Sequence, residues 1–130
     1  MTKILVDTSI IIDYLRSTNK TITLFSQVFT QPNNFPCISQ ITITELWAGK
    51  STLKPEVDNY ISSLIKNMEI LPINDEIAKQ TGIMIRNQNY TISFQDAYIA
   101  VTSIFNKLPL LTLNTKDFEK VEGIRLYSLV

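Results

Sequence analysis

Four acidic residues are the candidates for chemistry in this sequence, because of their residue type and their positions: Asp7, Glu45, Asp96 and Asp117. Asp7 ends an apolar run at positions 4–6 that is typical of a buried strand, and each aspartate stands at a predicted helix start. Because the carboxyl ends of parallel strands meet at one edge of a sheet, these carboxylates would lie close together there. Like charges so placed repel each other unless a cation intervenes, and Mg²⁺ and Mn²⁺ prefer oxygen ligands. The pattern therefore predicts a Mg²⁺ or Mn²⁺ site with Asp7, Asp96 and Asp117 as ligands and Glu45 beside them.

A carboxylate cluster of this kind suits metal-assisted hydrolysis of phosphodiester bonds. The sequence contains 0 histidines, which excludes Ser-His-Asp and Cys-His catalysis as well as histidine metal sites. Polar side chains close to the acids, at Thr8, Ser9, Thr112 and Asn114, would position a water or support the ligands by hydrogen bonds. Any catalysis must rest on carboxylates, hydroxyls, lysines or a bound metal.

The composition is that of an ordinary globular protein. The 130 residues are 45% hydrophobic and 18% charged, which predicts a single domain spanning 1–130 with its own core. The net charge is +0, so the composition gives no general electrostatic argument for nucleic-acid binding. A lone cysteine, Cys37, excludes a disulfide framework, and Asp7 and Asp13 interrupt the first apolar runs. Neither a signal peptide nor a membrane span is predicted, and we expect a cytoplasmic protein.

Strands and helices are predicted to alternate along the chain. Apolar runs predict strands at 4–6, 35–39, 70–73, 108–113 and 124–130, and apolar residues at helical spacing predict helices between them. Pro72 interrupts the third run, which favours a position at the edge of the sheet. This order predicts a three-layer α/β/α fold with a central, mostly parallel sheet of four to five strands.

Four segments together resemble the PIN-domain family, most closely its small single-domain toxins of the VapC type. They read V-D-T-S-I-I-I-D-Y-L, T-E-L-W-A-G, Q-D-A-Y-I-A and L-T-L-N-T-K-D-F, in this order across essentially the whole chain. Each segment is weakly specific by itself, whereas four in register form a strong signal. The resemblance implies a PIN-like, Rossmann-like fold and a Mg²⁺- or Mn²⁺-dependent endoribonuclease, the toxin of a type II toxin-antitoxin pair.

The same resemblance implies roles for individual residues. The family's four acids match Asp7, Glu45, Asp96 and Asp117, which would be the catalytic set. Its supporting polar groups match Thr8, Thr112 and Asn114. A further recurrent family acid matches Asp13, which we interpret as peripheral because it lies within the first helix.

The resemblance also implies partners: an RNA substrate, a small cognate antitoxin that occupies the acidic cleft, and a second copy in a homodimer. Apolar residues of the first four helices are candidates for those interfaces, although each is more simply interpreted as core. They are Phe25, Phe29, Trp47 and Tyr60.

Two other classes of protein remain as alternatives. A phosphotransfer module of the receiver type would also gather carboxylates at strand ends, but Asp7 has no acidic neighbour and 72–74 offers no phosphoacceptor. Phosphatases of the D-x-D type fit no better, because Ser9 replaces the second acid. In the other alternative, an RNA-binding or scaffold protein, the acids would only cap helices and would have no role in catalysis.

Overall fold

The fold is built on a four-stranded parallel sheet. The computed structural model describes residues 1–129, and its strands are β1 (Thr2–Val6), β2 (Asn34–Ser39), β3 (Glu69–Leu71) and β4 (Leu110–Leu111). Their order in the sheet is β3-β2-β1-β4, with all three pairings parallel. β1 therefore lies inside the sheet, and β3 lies at an edge, as Pro72 predicted.

Helices cover both faces of this sheet. Successive β1 residues alternate between the faces: Ile4 and Val6 pack into one buried apolar cluster and Leu5 packs into the other. The cluster around Ile4 and Val6 also includes residues of the first four helices, and the cluster around Leu5 includes residues of the last three. The three-layer α/β/α prediction is therefore confirmed. The helices are α1 (Thr8–Arg16), α2 (Leu24–Phe29), α3 (Gln40–Ala48), α4 (Pro55–Lys66), α5 (Asp75–Asn87), α6 (Phe94–Phe105) and α7 (Thr115–Phe118), with 3₁₀ turns at Lys20–Ile22 and Lys50–Leu53.

Local capping chemistry explains where most of the longer helices begin. The side chains of Ser39, Asn74 and Ser93 each accept a hydrogen bond from a backbone N–H of the first turn, in α3, α5 and α6 respectively. Pro55 opens α4, where its missing N–H costs nothing. No helix within residues 1–129 combines the length and apolar character needed to cross a membrane.

The predicted strand at 124–130 is reduced to a single bridge. Leu126 pairs with Leu110, through hydrogen bonds of 2.8 Å from Leu110 N to Arg125 O and from Tyr127 N to Leu110 O. β4 has only two residues, so a neighbouring segment can form only a very short pairing with it. The prediction of a fifth full strand was therefore wrong for the described part of this segment. Val130 lies outside the described residues.

Candidate active site

The carboxyl end of β1 is the centre of the candidate site. Asp7 directly follows β1 and occupies the N-cap position of α1. Its backbone N–H donates to Leu111 O at 2.9 Å, which joins it to the end of β4. The side chain is only 3% exposed, so its surroundings determine what it can bind.

One oxygen of the Asp7 carboxylate is fully engaged by the protein. Oδ2 accepts hydrogen bonds from Ser9 Oγ and Thr112 Oγ1, both at 2.7 Å. These hydroxyls are held in turn by backbone amides: Leu113 N donates to Ser9 Oγ at 3.2 Å, and Asn114 N donates to Thr112 Oγ1 at 2.9 Å. The turn after β4 therefore fixes the orientation of a carboxylate at the end of β1.

The other oxygen of the Asp7 carboxylate, Oδ1, accepts no hydrogen bond from the described residues. Within residues 1–129, both hydrogen bonds that the Asp7 side chain accepts go to Oδ2, and no fully buried side-chain oxygen lacks a partner. Oδ1 is therefore reached by solvent and is available to a ligand. The hydroxyls thus divide the carboxylate into a fixed oxygen and a free one.

Glu45 is positioned in the same way from a different element. It lies on α3, and its Oε1 accepts a hydrogen bond from Thr8 Oγ1 at 2.7 Å. Burial raises the pKa of the half-buried Glu45 carboxyl, the bond from Thr8 lowers it, and the charges of Asp7 and Asp96 raise it further. Glu45 therefore belongs to the same electrostatic cluster as Asp7 and Asp96.

Asp96 completes the link between the acids. It is the third residue of α6, and its N–H donates to the N-cap hydroxyl Ser93 Oγ at 3.1 Å. Burial raises the pKa of the Asp96 carboxyl first, followed by the charge of Asp7 and then that of Asp117, whereas the hydrogen bond with Ser93 lowers it. Asp117 is exposed on the short helix α7. The four acids are therefore connected through Asp96: the charges of Asp7 and Asp96 act on Glu45, and the charges of Asp7 and Asp117 act on Asp96.

The supporting residues differ in how they contribute. Thr8 and Thr112 donate directly to the carboxylates of Glu45 and Asp7 respectively. Asn114 contributes its backbone N–H, and its side chain makes no cap hydrogen bond to α7 within the described chain. Sequence reasoning missed Thr42, whose Oγ1 lies 2.9 Å from Thr8 Oγ1. The available signal was its place three residues before Glu45, which puts both on one face of α3.

Comparison of the sequence with known protein families identifies the family to which this arrangement of acids belongs. The sequence profile of the PIN domain matches residues 4–124, a range that contains all four acids. This chain belongs to the PIN-domain family. The match covers more than half of the chain, and the parallel sheet with its acidic edge agrees with it.

Relatives of this PIN domain match along almost its whole length. A ribonuclease VapC1 from Methanocaldococcus jannaschii is 32% identical, covering 97% of this chain and 88% of the relative. A ribonuclease VapC from Rickettsia bellii is 31% identical, covering 97% and 96%. The crystal structure of DNA-bound VapBC from Salmonella typhimurium superimposes with a TM-score of 0.79 at 25% identity, covering 98% of each chain. These matches support the PIN-like fold over the full chain.

The donor set of this PIN domain fits a hard divalent cation. The ligand atoms on offer are carboxylate oxygens whose mutual repulsion a cation would relieve. Within residues 1–129, no three Asp, Glu or Cys side chains stand close enough to hold an ion by themselves. Mg²⁺ usually binds one or two carboxylates and keeps several waters or substrate oxygens as ligands. The site therefore fits an open, partly hydrated ion and not a closed protein cage.

The raised pKa of Asp96 leads to a prediction about stability. We expect Asp96→Asn to increase the free energy of unfolding of the metal-free PIN domain at pH 7, because it removes a partly buried charge near Asp7 and Asp117. A carboxyl whose pKa is raised by folding costs stability above its folded pKa, and that cost vanishes below its unfolded pKa of about 3.9. The gain should therefore shrink as the pH falls from 7 towards 4.

Urea unfolding in EDTA at both pH values measures this gain. Asp75→Asn is a matched control, because Asp75 is an exposed aspartate in the first turn of α5. A gain for Asp96→Asn that is the same at pH 7 and pH 4, or no larger than that of Asp75→Asn, would refute the electrostatic explanation.

Proposed function

We propose that this PIN domain is a Mg²⁺- or Mn²⁺-dependent endoribonuclease and the toxin of a toxin-antitoxin pair. The observation that carries the proposal is the pair of carboxylates, Asp7 and Glu45, each with one oxygen held by hydroxyls and the other left free. The names of the relatives, ribonuclease VapC, support the same substrate class. The neighbouring VapBC structures support the toxin role.

The residues divide the work of hydrolysis between them. Asp7, through Oδ1, and Asp96 would bind the ion directly and Asp117 would reach it through one of the waters on the ion, which would supply Lewis acidity for attack on a phosphodiester. Glu45 is suited to accept a proton from the attacking water, because its pKa is raised and Thr8 fixes its orientation. The N-termini of α1 and α6 face the same edge, and their dipoles favour an anionic phosphate there.

Cleavage of cellular RNA tests the proposal directly. We expect the purified chain to produce discrete new ends in total RNA with Mg²⁺ or Mn²⁺, and none in EDTA. Mapping the ends by sequencing would also identify the substrate. A folded, antitoxin-free protein that produces no ends with either metal would favour a non-catalytic RNA-binding or scaffold role.

A groove beside Glu45 suits the antitoxin that we propose as partner. It has a volume of about 510 Å³ and lies between α1, α3, α4 and the turn at Lys50–Leu53. Apolar side chains such as those of Leu15, Val57 and Tyr60 line much of it, and Glu45 belongs to the same lining, together with the basic residues Arg16, Lys20 and Lys50. A segment that carries apolar residues and one basic side chain would fill it and cover the carboxylates. The RNA assay tests this proposal too, because such a segment would stop cleavage.

The other residues predicted for interfaces are mainly core. Phe25 is buried, and Phe29 and Trp47 pack partly buried against the same apolar cluster, whereas Tyr60 is exposed and lines the groove. The homodimer stays a prediction from the family, and sedimentation of the isolated chain would test it.

A further inference from the structure

We infer that Thr42 is a positioning residue for Glu45, acting through Thr8. This inference rests on the proposed nuclease function and adds a residue that neither sequence motif nor family match assigns. Thr42 contacts Thr8 at 2.9 Å, and Thr8 contacts Glu45 at 2.7 Å, so three side chains form one continuous chain of hydrogen bonds.

The number of protons fixes the direction of this chain. A hydroxyl has one proton to donate and two lone pairs that accept. Thr8 Oγ1 donates its proton to Glu45 Oε1. The proton in the contact between the two threonines must therefore come from Thr42, so that Thr42 donates to Thr8 and Thr8 donates to Glu45. Each bond in such a series polarises and strengthens the next.

The position of Thr42 in its helix explains why its hydroxyl is free for this task. Thr81 and Thr102, in α5 and α6, donate to the carbonyl four residues earlier at 2.7 Å, as helical threonines commonly do. The corresponding residue for Thr42 is Ile38, which lies in β2 before α3 begins. Thr42 is 0% exposed, so water cannot take the place of Thr8 as its partner.

Removing the Thr42 hydroxyl should make the Glu45 side chain less well ordered, although Thr42 is not hydrogen-bonded to Glu45 itself. The side chain of Thr8 has three staggered rotamers, and the bond from Thr42 favours the one that points Oγ1 towards Glu45. Without that bond, the other rotamers become competitive and Glu45 loses its fixed oxygen for part of the time. A group that orients a catalytic side chain in this way typically accounts for about 10-fold in activity.

The test compares Thr42→Val with Thr42→Ser, which keeps the hydroxyl. We expect Thr42→Val to lower kcat about 10-fold with KM nearly unchanged, and Thr42→Ser to remain close to wild type. Thr81→Val is the matched control, because it removes a buried hydroxyl that contacts only its own helix. The double variant Thr8→Val/Thr42→Val should be no slower than Thr8→Val alone, since Thr42 acts through Thr8.

Crystal structures of the metal-free variants provide a readout that does not depend on activity. In Thr42→Val the Thr8 side chain should populate a second rotamer in which Oγ1 lies beyond hydrogen-bonding range of Glu45 Oε1, about 3.5 Å, whereas in Thr81→Val it should not. An unchanged distance, additive losses in the double variant, or a Thr42→Val enzyme as fast as Thr81→Val would overturn the inference. If the wild type cleaves no RNA, the proposed function fails, while the crystal structures still decide whether Thr42 positions Glu45.

Discussion

Asp7→Asn should reduce RNA cleavage by on the order of 1000-fold while the protein stays folded. The hydroxyls of Ser9 and Thr112 both donate to Oδ2, so an asparagine would keep its oxygen there and turn its NH₂ group to the position of Oδ1. An amide nitrogen at that position cannot bind a cation. The change therefore removes the free ligand oxygen and leaves the surrounding hydrogen bonds intact.

Rates of cleavage of a defined RNA, measured with saturating Mg²⁺ or Mn²⁺, would give the size of the effect. Asp75→Asn serves as the control here as well, since Asp75 is exposed in the first turn of another helix. Circular dichroism and thermal melting would show that Asp7→Asn is folded. An Asp7→Asn protein that cleaves as fast as Asp75→Asn would remove Asp7 from the site and leave it only the role of a helix cap.

Phe118→Ala should cost about 3 to 5 kcal/mol of folding stability, a large part of the total for a domain of this size. Phe118 is 0% exposed and belongs to the apolar cluster under α5 and α6. It lies in α7, which has four residues and could not persist as a helix without this anchor. Since Asp117 precedes Phe118 directly, the same change should also displace an acid from the site.

Urea unfolding measures the cost, and Phe118→Leu should recover most of it because it refills the cavity with an apolar side chain. Phe105→Ala provides the comparison, since Phe105 is 44% exposed at the end of α6 and should cost far less. If both alanine variants lose the same stability, Phe118 does not anchor α7.

The parts of the fold that depend on short-range chemistry could be predicted from the sequence. The run at 4–6 identified β1, and Ser93 with Asp96 identified the start of α6, because capping acts within one helical turn. Asp7, Asp96 and Asp117 were singled out in the same way, by their places at helix starts, whereas Glu45 was singled out as a carboxylate inside an apolar helix. Strand 124–130 was overpredicted, because an apolar run does not show how short its neighbour β4 is.

The contacts that orient the acids were harder to predict, since they join distant parts of the chain. The polarity of Thr112 indicated a supporting role, but only the fold shows that it shares Oδ2 with Ser9. The support from Asn114 that the structure shows comes from its backbone amide, a group that every residue except proline possesses, so the residue type alone could not indicate it. In the sequence Thr42 resembles many other helical threonines, and only the folded structure shows that it contacts Thr8.

The bond between Thr112 and Asp7 spans 105 positions of the chain, and this has a consequence for the order of events during synthesis. Asp7 leaves the ribosome early, but β4 must be inserted beside β1 before Thr112 can reach it. A nascent chain that has folded only α1 to α4 therefore has Asp7 without the hydroxyl and amide groups that orient it. The candidate site is therefore completed late in translation, after most of the groove beside Glu45 has formed.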